Sequence, residues 1–176
     1  MTIEGVRPLE PGEVATLLGA TVPLLRVEVA ALPPPCHAWH PAAGEWCIKE
    51  VVGHLIEAER RGFAGRIRVI LGGSEPRLEA WDQLAVARAR RDCEREVGEL
   101  LDELARLRES SVALVAGRGP DDLERGGHHP KVGHLCIGDL LHEWVHHDRN
   151  HVKQVLAIVQ AFAWPAMGNA QRFSAE

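Results

Sequence analysis

The chain has 176 residues, 45% apolar and 26% charged, enough material for one sizeable core and too hydrophobic to remain disordered. Its net charge of -5 leaves 17 Arg and 3 Lys interspersed among 25 acids, with no basic tail or stripe. That balance excludes the electrostatic footprint of a nucleic-acid or anionic-membrane binder. MTIEGVRPLEPGE lacks the charged and apolar regions of a signal peptide, and no apolar run is expected to be long enough to span a bilayer. Four cysteines, Cys36, Cys47, Cys93 and Cys136, form no C-x-x-C pair, so a reduced, cytoplasmic protein is expected.

Residues 1–10 read as an irregular lead-in. From Pro11 onward Val14, Leu17, Leu18, Leu24, Leu25, Val29 and Leu32 recur at helical spacing, and Pro23 predicts a kink or two short pieces. LPPPCHAWHPAAG, at 32–44, reads as loop. A second helix is expected from Glu45 or Trp46 to about Leu71, with Ile48, Val51, Val52, Leu55, Glu59 and Phe63 inward and Gly72–Gly73 ending it. His54 lies on the shoulder of that stripe. A long charged helix is expected over Leu84–Ala116, burying Leu100, Leu101, Leu104, Leu107, Leu114 and Val115. GRGPDDLERGGHHPKVGH follows as a turn-rich connection with a short helical turn at Asp121–Arg125. The last helix is expected to start at Ile137–Asp139 and run to about Phe162. No stretch alternates with period two, so the reading is one all-α domain over 1–176, a four-helix bundle.

Four of the ten histidines crowd into HEWVHHDRNHVKQ, residues 142–154. Two ligand spacings overlap there. His142, Glu143 and His146 fit the metalloprotease pattern H-E-x-x-H, whereas His147 and His151 are a second pair one turn apart. With Trp144 at the centre of the apolar face, His151 falls about 20° and His147 about 60° from it, and His142 and His146 about 160° away. The protease pair therefore belongs to the solvent sector with Arg149 and Lys153, and no downstream acid or histidine completes it. This disfavours the metalloprotease reading.

For His147 and His151 two readings stand: hydrogen-bonded core histidines, or two ligands of an ion held in the bundle. An ion requires a third ligand, and His54, the only histidine of the second helix, is the strongest candidate. Glu50 and Glu57 on that helix read as solvated carboxylates. Asp148, about 40° from the face centre, is either a partner orienting a ligand imidazole or half of a salt bridge to an Arg of another helix. Gln154 either lines the site or is exposed. Cys47 reads as a small buried hydrophobe rather than a ligand. His128, His129 and His134 read as solvated loop residues near the site. Trp39, Trp46, Trp81 and Trp144 read as core or loop anchors, with nothing selecting one as a pocket wall.

With EWCIKEVVGHLIEAE at 45–59, Trp81–Asp82 and RGGHHPKVGHLCIGDLLHEWVHHDRNHVKQV at 125–155, the chain resembles the DinB-like (DNA-damage-inducible B) superfamily, which overlaps the bacillithiol- and mycothiol-dependent metal transferases. Trp46, His54, His147, Asp148, His151 and Gln154 match its motifs in order. The resemblance implies a divalent metal, commonly zinc or nickel, on His54, His147 and His151 with a coordination position left open. It also implies a homodimer. Some relatives pass a low-molecular-weight thiol to an electrophilic small molecule, so a thiol-dependent transferase or a hydrolase is expected. The alternative is a non-catalytic metal-binding stress-response or structural bundle.

Overall fold

A computed structural model describes residues 7–174; the part of the expected lead-in at positions 1–6 lies outside them. Four long helical segments form the bundle: α1 (Pro11–Ala31), α3 (Ile48–Glu57) with α4 (Ala64–Leu71), α6 (Val97–Ala116) and α8 (Ile137–Ala163). Helix α1 runs unbroken through Pro23, with no division into two pieces. Contrary to the sequence reading, α1 is long and apolar enough by length and composition to cross a membrane. Its stripe of Val14, Leu18, Val22, Leu25 and Val29 is instead buried in the bundle, whose α1 contacts are chiefly with α6 and α8.

Several local expectations change. The 32–44 connection contains a one-turn helix, α2 (Pro34–His37), because prolines are tolerated in a first turn, where the missing N–H has no intrahelical partner to lose. The second helix begins at Ile48, where Cys47 and Glu50 form a capping box. It passes through a π turn, Ala58–Gly62, before α4. Glu59 and Phe63 are both buried, as the stripe required. At Gly65 an added Cβ would lie 2.0 Å from the Arg60 carbonyl oxygen released there, so only glycine fits this geometry without a backbone shift.

The long charged helix is two helices, α5 (Gln83–Arg90) and α6, separated by Arg91 at φ 53 and a 3-10 turn over Asp92–Glu94. No proline or glycine marks that break. Asp92 is buried and doubly bonded to Arg90 across the break, at 2.7 and 2.9 Å. Leu100, Leu101, Leu104 and Val115 are buried as expected, whereas Leu107 and Leu114 are half-buried and the intervening buried positions belong to Arg108 and Ser111. The turn-rich connection carries α7 (Pro120–Leu123) and an antiparallel hairpin, β1 (Gly126–His129) and β2 (Gly133–Cys136). Its strands are four residues each and glycine-rich, too short to show an alternating pattern.

The core falls into two apolar clusters. One gathers Val14, Leu18, Phe63, Ile67, Ile137, Leu140 and Trp144; the other gathers Val22, Leu25, Ile48, Val51, Leu55, Leu100, Leu104, Val155 and Ile158. Buried polar residues mark the changeover: Thr21 in α1, Arg108 in α6 and Asp148 in α8, with Glu57 and Glu59 flanking Ala58 on the second helix. Arg108 Nη1 donates to Asp148 Oδ2, Thr21 Oγ1 donates to the same oxygen at 2.7 Å, and Arg108 Nη2 lies 2.7 Å from Glu59 Oε1. One cation thus serves two carboxylates. Burial pushes the Glu59 carboxyl up to about 7, against the pull of Arg108 and of the Ser111 hydroxyl.

Candidate metal centre

The three histidines selected from the sequence converge at the level of this polar layer. His54 Nε2 and His147 Nε2 are 2.9 Å apart, and one nitrogen from each of His54, His147 and His151 lies within 4.8 Å of the others. His54 is buried, and His147 and His151 are half-buried. The helical phase of α8 behaves as read: Trp144 is fully buried, the His147–His151 pair turns inward, and His142 and His146 are exposed. Arg149 departs from that reading, lying half-buried with Nη2 donating to the Leu17 carbonyl at 2.6 Å.

Aromatic rings enclose the cluster. Trp46 packs on His54 at 4.9 Å and on His151 at 6.4 Å between ring centroids, and Trp81 stacks on the His54 ring at 5.8 Å. Phe63 meets His147 edge-on at 5.1 Å and stacks on Trp144 behind it. The structure thereby separates the tryptophans: Trp46 and Trp81 wall the site, Trp144 is core, and Trp39 packs against Phe162. Asp82, beside Trp81, accepts from the Leu84 and Ala85 amides and starts α5. His147, Phe63 and Trp81 also line an open cleft of about 1190 Å³, bounded by Pro8–Glu10, the hairpin and α8.

The donor chemistry fits a divalent cation. Burial and the neighbouring rings lower His54 to about 3, and burial lowers His151 as well, so both are neutral at pH 7 with a lone pair to give. His151 Nδ1 lies 2.8 Å from Gln154 Oε1; an amide oxygen only accepts, so Nδ1 carries the proton and Nε2 is the free donor. Two imidazole nitrogens on one tetrahedral zinc ion stand about 3.3 Å apart, close to the 2.9 Å separation of His54 and His147. His147 Nδ1 is buried without a hydrogen bond.

Asp148 is salt-bridged to an arginine of another helix, Arg108. Its oxygens are engaged by Arg108 and Thr21, and Oδ1 lies 3.9 Å from His147 Nδ1, beyond hydrogen-bond reach. Burial would raise this carboxyl, but the His147 ring, Arg108 and Thr21 hold it below the usual range. Gln154, left open between two readings, is the residue that holds the His151 ring. Glu57 is not solvated: it is buried among Arg60, Arg61 and Arg90.

The HEWVH residues do not form a site of their own. His142 donates from Nδ1 to the Gly138 carbonyl at 2.8 Å and accepts the Leu9 amide at Nε2 at 3.0 Å, and His146 contacts Asn150. His142, Glu143 and His146 do line the cleft, but among the described residues they belong to no group of converging ligands. His129 is buried rather than solvated and contacts Arg66 at 3.2 Å, while His128 and His134 are exposed beside Glu75.

A family model, that of the DinB superfamily, matches residues 17–155. The chain belongs to the DinB superfamily. Among its relatives is a protein of Oceanobacillus iheyensis named as a candidate metal-dependent hydrolase, 20% identical over 122 residues, covering 69% of this chain and 70% of that protein. YfiT from Bacillus subtilis, described as a probable metal-dependent hydrolase with an unusual four-helix bundle topology, superposes with a TM-score of 0.81. It is 18% identical, and the match covers 93% of this chain and 94% of YfiT. At that identity the likeness establishes the DinB-type four-helix bundle, and the residues above must carry the chemistry.

Proposed function

We propose that this DinB-superfamily protein is a metal-dependent enzyme acting on a small molecule, with zinc or nickel held by His54, His147 and His151. The observation that carries the reading is the convergence of three imidazoles, two of them held neutral by burial, at the wall of an open cleft. Three protein ligands leave a position for a reactant, unlike a closed structural site. Imidazole nitrogen suits both ions. A bound ion supplies Lewis acidity and activates a water or a thiol at neutral pH.

The chain's own residues supply the rest. Gln154 holds the His151 ring in one tautomer. Trp46, Trp81 and Phe63 pack on the rings of the cluster and lower the polarity around it, which strengthens electrostatic interactions there. The cleft beside His147 takes the substrate. Relatives named as metal-dependent hydrolases support hydrolysis as the reaction class; transfer of a low-molecular-weight thiol to an electrophile is the second form of the same reading. A cytoplasmic homodimer accompanies it.

The deciding experiment measures turnover of ester, amide and electrophile-plus-thiol panels by zinc- and nickel-loaded protein, with His147→Ala as control. Metal-dependent turnover abolished by His147→Ala is expected. An ion lost in His147→Ala with no turnover on any panel would replace the enzyme by a metal-binding bundle.

A further inference from the structure

A second constellation lies outside the three-histidine cluster. Cys47 ends the connection between α2 and α3 and is fully buried. Its Sγ stands 3.0 Å from Sγ of Cys93, on the 3-10 turn between α5 and α6. Cys93 Sγ lies 3.8 Å from His40 Nε2, and His40 Nε2 lies 2.9 Å from Glu50 Oε2. One donor atom from each of these four residues lies within 4.8 Å of the other three. The capping box of α3 accounts for Cys47 and Glu50. It does not account for Cys93 or His40, which arrive at the same point from two other parts of the chain.

We propose that His40, Cys47, Glu50 and Cys93 form a second metal site, a closed four-ligand site for a zinc-type ion. Two sulfurs, an imidazole and a carboxylate are donors that zinc accepts in tetrahedral arrangement. On such an ion the sulfurs stand about 3.8 Å apart and a sulfur and an imidazole nitrogen about 3.5 Å. The Cys93–His40 separation is already near that value, and the two sulfurs need only to part. A disulfide would need them to approach instead.

Binding displaces both thiol protons to solvent; two thiolates and one carboxylate then leave the ion and its ligands with a net charge of minus one. Lys49, whose Nζ donates to the Cys93 carbonyl at 3.3 Å, is placed to offset it. His40 is exposed and gives the ion a way in. The clip joins the connection before α3 to the turn before α6. It thereby anchors Trp46, the residue preceding Cys47, against His54 and His151.

The test is cobalt(II) titration of the reduced full-length protein. A sulfur-to-cobalt charge-transfer band is expected, since the three-histidine site contains no sulfur. Cys93→Ser and His40→Ala should each lose the band and one ion per chain, and His147→Ala should lose one ion and keep the band. His40→Ala alters an exposed loop position, so its result does not depend on core packing. A band that persists in both Cys93→Ser and His40→Ala, or no band in the wild type, overturns the site. So does non-reduced mass analysis showing Cys47 and Cys93 joined, two hydrogens lighter and metal-free. If the three-histidine site takes no ion, a single cobalt per chain that retains the band still upholds this one.

Discussion

Gln154 stands one turn beyond His151 and accepts the Nδ1 proton of its ring at 2.8 Å. That bond fixes which nitrogen of His151 is free, and it gives Gln154 the task the sequence had offered to Asp148. Gln154→Ala should leave the fold intact and weaken metal binding at the three-histidine site by about 10- to 100-fold. Competition against a chromophoric chelator measures it, in a Cys93→Ser background so that one site is read. Unchanged affinity would remove Gln154 from the site.

The two overlapping spacings on α8 make opposite predictions. In the same background, elemental analysis should find no ion in His147→Ala and a full complement in His142→Ala. The His142 ring instead ties the Leu9 amide to α8, so His142→Ala should loosen the segment before α1, seen as faster amide exchange at Leu9. Loss of metal from His142→Ala would overturn the inward-face assignment.

Arg108 bridges Asp148 and Glu59, and its guanidinium also lies 5.5 Å over the Trp144 ring. Arg108→Met leaves the Asp148 charge without its partner in a buried layer, and should cost about 3–5 kcal/mol of unfolding free energy in urea. A loss under 1 kcal/mol would mean that water reaches this layer.

Glu59 gives the layer a pH dependence. Its folded-state value, about 7, is above the 4.5 of an ordinary glutamate, so the folded chain holds this proton more tightly than the unfolded chain. The associated stabilisation is fully present below pH 4.5 and is lost as pH rises through 7; the shift corresponds to about 3 kcal/mol. Glu59→Gln should therefore flatten the stability profile between these limits and gain on the wild type above neutrality. Parallel profiles for the two proteins would place the proton elsewhere.

Gly53 precedes His54, and an added Cβ would fall 1.8 Å from Asp92 Oδ2, a carboxylate fixed by Arg90. Gly53→Ala must push the Asp92–Cys93 turn off α3. It should destabilise by about 1–3 kcal/mol and weaken cobalt binding at the thiol site more than at the histidine site, read from the charge-transfer band. Equal effects at both sites would argue for a general loss of packing.

Helical periodicity carried the bundle, because an apolar stripe every three to four residues has few ways to be buried. It also carried His147 and His151, since phase within one continuous helix is a local property. His54 followed from being the single histidine on the second helix. The break at Arg91 did not show, because no proline or glycine marks it and the Arg90–Asp92 ion pair across it is visible only in the fold. The hairpin did not show, because four-residue glycine-rich strands have no period to read.

Which face of each long helix is apolar, and which histidines share that face, follows from local periodicity. What stands opposite them depends on how the segments pack: Trp46 and Trp81 as walls, Arg108 between two acids, and Cys93 beside Cys47. Contacts of this kind join distant segments, as in Thr21 with Asp148, 127 residues apart. A helix's own sequence fixes its phase, but which neighbour meets a given turn depends on how all four segments pack together.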